Sequence, residues 1–111
     1  MMGYVTLGVD DIARAERFYA AFMPDLGYDL ELSSEGLSCT IPVLPGQETA
    51  APDLYVKMPF DGQAASQGNG TMVAFRVSTQ AEVRRLHYRA IAAGGRDDGA
   101  PGFRDAYGPH F

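Results

Sequence analysis

An α+β fold, built from a strand–helix unit that occurs twice, is what this sequence predicts, on three observations. Residues 4 to 9 alternate apolar and polar side chains, the period of a strand with two different faces. Residues 12 to 22 place apolar side chains at three- and four-residue steps, the period of a helix lying on a sheet. The stretch from 4 to 29 then recurs, without a gap, at 72 to 97.

Taken in order, Val5, Leu7 and Val9 face one way from the first strand, and Tyr4, Thr6 and Gly8 the other. Asp11 is an N-cap residue. Ile12, Ala15, Phe18, Tyr19 and Phe22 form the apolar stripe of the helix, with Arg14, Glu16 and Arg17 opposite, and Pro24 and Gly27 end it. Tyr28 to Ser33, Leu37 to Ile41 and Asp53 to Lys57 read as three further short strands, parted by SSEG and by PVLPGQETAAP.

The repeat lays MVAFRVSTQAEVRRLHYRAIAAGGRD over YVTLGVDDIARAERFYAAFMPDLGYD, with identities at Val5/Val73, Val9/Val77, Ala13/Ala81, Arg17/Arg85, Gly27/Gly95 and Asp29/Asp97. Asp11 overlies Thr79, which makes a capping box with Glu82. One domain over 1–111 follows, with module one at about 1–60, a linker at about 61–70 and module two at about 71–111. The repeat offset puts the counterpart of Asp53 to Lys57 beyond Phe111. The second module is therefore expected to lack its last strands, either as a piece of a longer product or as a naturally short form.

A net charge of −5, with Lys57 and eight arginines as the cations, argues against a nucleic-acid partner, which needs a concentrated basic face. Arg84, Arg85 and Arg89 read as the solvated side of one helix. No apolar run approaches the roughly 20 residues of a membrane span and MMGYVTLG is no signal peptide, so no membrane partner and a cytoplasmic location are expected. The lone Cys39, in SCTIPV, excludes an internal disulfide and reads as an inert core thiol. His87 reads as a hydrogen-bonded structural histidine, and His110 follows a Gly-Pro turn. The glycines of GQAASQGNGT lack the lysine and helix start of a phosphate loop.

The segments YVTLGVDDIARAERFYAAFMPDLGY, PDLYVKMPFDGQ, GNGTMVAFRV and AGGRDDGAPGFRDAYGPH resemble the vicinal oxygen chelate superfamily, which includes glyoxalase I, bleomycin-resistance proteins and extradiol dioxygenases, and within it a glyoxalase-like bacterial branch. The resemblance covers nearly the whole chain. It implies two βαβββ modules whose curved sheets pair into an open cup, helices outside and ligand within. The cup faces of the two first strands would be Tyr4, Thr6 and Gly8, and Met72, Ala74 and Arg76.

Metal-using members commonly carry a ligand where this chain has Tyr4 and Met72, and neither a neutral phenol nor a thioether suits a hard or borderline divalent ion. The expected protein thus binds a small organic molecule in its cup with no metal cofactor and no assigned catalytic residue. Tyr4, Thr6, Tyr55, Met72 and Arg76 would line the cup, with Lys57 able to orient polar groups; whether Tyr55 or Leu54 faces inward stays open. The alternative is a metal-dependent lyase or isomerase resembling lactoylglutathione lyase (glyoxalase I), with Glu31, Glu35 or Glu48 as the available carboxylates. A homodimer is expected, because superfamily members commonly dimerise and the shortened second module leaves a sheet edge open.

Overall fold

The computed structural model describes residues 2–47 and 51–108, so Glu48 and His110 lie outside the described residues. The fold is α+β. Strand β1 (Tyr4–Gly8) leads into helix α1 (Ile12–Ala20) and a 3-10 turn at Pro24–Leu26; β2 (Asp29–Ser33), β3 (Gly36–Thr40) and β4 (Asp53–Lys57) follow, and helix α2 (Gln80–Ala92) comes later. Among the described residues these four strands form one sheet in the order β1-β4-β3-β2. β4 pairs in parallel with β1 and antiparallel with β3, and β2 pairs antiparallel with β3.

The caps explain where the helices sit. Asp11 accepts a hydrogen bond from the backbone N–H of Arg14 at 3.0 Å, and Thr79 accepts one from that of Glu82 at 3.1 Å. Glu82 Oε2 accepts from the backbone N–H of Ser78 instead of Thr79, one residue further out than in the usual capping box.

Both units end in a Schellman pair. Gly27 N–H reaches the Pro24 carbonyl and Tyr28 N–H that of Met23; Gly94 N–H reaches Ile91 and Gly95 N–H reaches Ala90. The left-handed residues are Gly27, at φ 90°, and Gly94, at φ 105°. The repeat in sequence therefore aligns Gly27 with the wrong glycine: one residue fewer separates cap from turn in the second unit. Gly95 is a glycine for another reason, since a Cβ there would stand 2.9 Å from the Phe18 ring and 2.7 Å from the Ala90 carbonyl.

The core lies between α1 and the sheet, where Ala15, Phe22 and Met23 meet Leu37, Cys39, Leu54 and Val56. The second half docks onto this core through Phe75, whose ring lies 6.3 Å from Phe22 and 6.2 Å from Tyr28, and through Leu86 and Ala90. Arg85 and Arg89 both pair with the Asp25 carboxylate and, like Arg84, stay exposed on the outer side of α2. His87 Nε2 sits 3.7 Å from Asp97 Oδ1, beyond hydrogen-bond distance.

The segment 71–77 differs from its repeat partner β1. Its side chains alternate, with Phe75 and Val77 half-buried and Met72, Ala74 and Arg76 exposed, but it forms no strand ladder. β1 owes its ladder to β4, and among the described residues no strand follows α2 to give 71–77 the equivalent partner. What the described residues present is one open sheet face in place of two facing walls. Among the described residues no helix is long and apolar enough to cross a membrane.

Gly36 opens β3 at φ 123°, and a Cβ there would fall 2.5 Å from the Val56 carbonyl and 2.9 Å from the Lys57 Cβ. Gly36→Ala should therefore destabilise the fold by about 2–4 kcal/mol, since strain and a backbone clash add. A lowered urea midpoint at unchanged slope is the expected result.

Candidate functional site

The face of the sheet turned away from α1 follows from period two and the strand register. Val5, Leu7, Leu37, Cys39, Leu54 and Val56 point under the helices, so their neighbours must point outward. Tyr4 pairs with Asp53, Thr6 with Tyr55, and Gly8 with Lys57 across β1 and β4; Ser38 pairs with Tyr55 on the other side and with Glu31 beyond it. Leu54 is only 2% exposed. The inward residue of β4 at the site is therefore Tyr55.

Tyr4 and Tyr55 meet edge to face, with ring centroids 5.5 Å apart and an interplanar angle of 67°. The Tyr55 hydroxyl donates to Asp53 Oδ2 at 3.1 Å. That hydrogen bond, more than partial burial and the nearby Asp53 charge, raises the Tyr55 pKa. At neutral pH the group is a protonated phenol that offers an oxygen acceptor and an apolar ring.

A cleft of about 510 Å³ lies over these residues, with Thr6, Ser33, Glu35, Ser38 and Lys57 as its other polar lining. A second of about 520 Å³ adjoins it, sharing Thr6 and Lys57 and extending along Met58, Pro59 and Phe60. The loop that walls this second cleft is tied back by the Ala65 N–H, which donates to Asp10 Oδ1 at 2.8 Å.

Of the residues expected to line the site, Tyr4, Thr6 and Tyr55 share the first cleft, whereas Met72 and Arg76 do not border either one. Met72 is 83% exposed on the unladdered segment. Ser38 was missed by sequence reasoning, although its place between buried Leu37 and Cys39 marks it as outward-facing. Glu35 belongs to the cleft because the β2–β3 turn curls over the sheet, which no periodicity announces. Among the described residues no group of three or more His, Cys, Asp or Glu side chains is arranged to hold a metal ion.

Cys39 is fully buried, and burial pushes its thiol up to about 11. Its sulfur lies on the helix side of β3, opposite the clefts, so it offers them no nucleophile.

The crystal structure of a glyoxalase/bleomycin resistance protein from Albidiferax ferrireducens T118 is similar to this chain, with a TM-score of 0.77 and 28% sequence identity over 97% of this chain and 83% of that one. No protein-family profile and no curated protein matches the chain.

The raised thiol gives a prediction with a definite sign. From 9.0 to about 11 the unfolded chain ionises Cys39 while the folded chain keeps it neutral, so its contribution to stability is complete below pH 9 and lost across that window. The urea midpoint of the wild type should fall through that range relative to Cys39→Ala. At about pH 8, alkylation of the native thiol should run roughly 100-fold slower than that of the unfolded chain.

Proposed function

The chain belongs to the vicinal oxygen chelate superfamily, and on that footing we propose that it binds a small organic molecule on the uncovered face of its sheet without using a metal ion. The observation that carries this reading is the Tyr4–Tyr55 aromatic wall beside Thr6, Ser38 and Lys57, in a cleft whose volume falls within the roughly 300–1,000 Å³ of small-molecule sites. The rings supply buried apolar contact, and the hydroxyls and the ammonium orient the polar part of a ligand.

The residues present do not fit a divalent ion. The two positions at which the resemblance places metal ligands hold a phenol and a thioether, and Met72 stands apart from the cleft. No step is routed through a metal. The carboxylate nearest Tyr4 and Tyr55, that of Asp53, is held by the Tyr55 hydroxyl.

A homodimer belongs to the same proposal. The chain exposes 8569 Å², against about 6,000 Å² for a compact monomer of its mass. Met58, Phe60, Met72 and Val73 contribute to that surface, and Phe60 is completely exposed. The excess is ample for a standard interface, which takes about 800 Å² per partner.

Elemental analysis of protein purified without chelator should find well under one equivalent of Zn, Ni, Mn or Fe. Near one equivalent of a divalent ion, lost with function on mutation of a single residue, would overturn the metal-free reading. A thermal-shift library should then contain aromatic stabilisers whose binding weakens about tenfold or more in Tyr55→Ala, through loss of the ring contact. Stabilisation by glutathione thioesters alone would favour the lyase.

Light scattering coupled to size exclusion should report about twice 12.0 kDa at micromolar concentration. A folded species at the single-chain mass, persisting at high concentration, would refute the dimer.

A further inference from the structure

Lys57 is the single lysine of the chain, and its surroundings on the sheet are unusual. It pairs across β1 with Gly8, and on the β3 side the glycine Gly36 lies against its Cβ. The strand positions on both flanks of this lysine thus carry no side chain. Glu35, in the turn just before Gly36, lines the 510 Å³ cleft together with Lys57, and the two residues also share a third cleft of about 500 Å³ beside Ile12, Leu32 and Met58.

Neither charge is used by the fold. Among the described residues the Lys57 ammonium makes no ion pair and the Glu35 carboxylate accepts no hydrogen bond; the only polar contact of Glu35 is its backbone N–H, which donates to Ser33 Oγ. Asp53 is held by Tyr55, Asp10 by the Ala65 N–H and Asp11 by its helix, whereas Lys57 and Glu35 line one cleft with their charges unpaired among the described residues.

We propose that the cleft selects a small aromatic zwitterion, its carboxylate on Lys57, its ammonium on Glu35 and its ring against Tyr4 and Tyr55. The proposal rests on reading the cleft as a ligand site and adds the charge pattern of the ligand. A zwitterion meets each charge with its opposite and gains two charge-assisted hydrogen bonds. A monoanion of the same skeleton leaves Glu35 unmatched and repelled, and a monocation does the same to Lys57, so selectivity comes as much from the penalty as from the contact.

Three probes with a common phenylethyl core test this: L-phenylalanine, 3-phenylpropanoate, which lacks the ammonium, and 2-phenylethylamine, which lacks the carboxylate, titrated against the full chain by NMR at neutral pH. L-Phenylalanine should bind at least about tenfold more tightly than either singly charged analogue. Lys57→Met should weaken L-phenylalanine and 3-phenylpropanoate while sparing 2-phenylethylamine, and Glu35→Gln should weaken L-phenylalanine and 2-phenylethylamine while sparing 3-phenylpropanoate.

Because the chain has one lysine, acetylation at residue 57, read by peptide mass, gives a second measurement on the unmutated protein. Measured against the N-terminal amine, which corrects for reagent consumed by the probes' own amines, L-phenylalanine should slow it and 2-phenylethylamine should not. Equal affinity for all three probes, lost in Tyr55→Ala, overturns the charge pattern while leaving the cleft a ligand site. Binding by none of them overturns the zwitterion, and the thermal-shift library then decides separately whether the cleft takes a ligand at all.

Discussion

The strand Asp53–Lys57 is hydrogen-bonded along both edges, and the rest of the molecule is arranged around that fact. Its parallel bond to β1 and antiparallel bond to β3 hold it flat between two neighbours. Its five side chains must then divide strictly between two faces. Leu54 and Val56 go under α1, where burial of each contributes roughly 1.5–3 kcal/mol. Asp53, Tyr55 and Lys57 have no alternative but the open face. A one-residue slip would move Leu54 into solvent and Tyr55 into the core, so the hydrophobic effect that stabilises the fold also aims the site.

The two halves of the chain are held together by different physics. The first half is a laddered sheet with a helix on it. The second half has no ladder of its own among the described residues and leans on the first through an aromatic contact at Phe75, the close approach of Gly95 to Phe18, and the Asp25 carboxylate gripped by Arg85 and Arg89. The ion pairs are partly solvated and weak individually, so they orient α2 more than they stabilise it. Apolar burial at Leu86 and Ala90 carries the docking.

This asymmetry bears on chemistry. The superfamily's architecture provides a concave surface on which various ligands and ions can be held, and fold alone does not choose among them. Here the open face carries phenols, hydroxyls, one ammonium, the Asp53 and Glu31 carboxylates and that of Glu35 at a turn, and among the described residues no three such donors converge as a metal site. Such a lining suits recognition by shape and charge.

Much of the first module was legible in residue order, because the features that define it are local. Alternation at Val5, Leu7 and Val9, the apolar stripe from Ile12 to Phe22 and the caps Asp11 and Thr79 each depend on neighbours a few positions away, and each forms where the pattern placed it. Residue order left the choice between Leu54 and Tyr55 unsettled, although alternation already sets Leu54 and Val56 apart from Asp53, Tyr55 and Lys57, because which set meets the helix depends on the pairing with β1 and β3. The loss of strand character at 71–77 was not legible either: its alternation matches that of β1, but a ladder requires a partner in space. The local pattern thus determined which segments extend, which coil and where helices begin. Pairing across the sheet, which joins residues about 50 positions apart such as Thr6 and Tyr55, decided which side chains share a cleft, because backbone hydrogen bonds to distant strands fix a face that no short stretch of chain can specify alone.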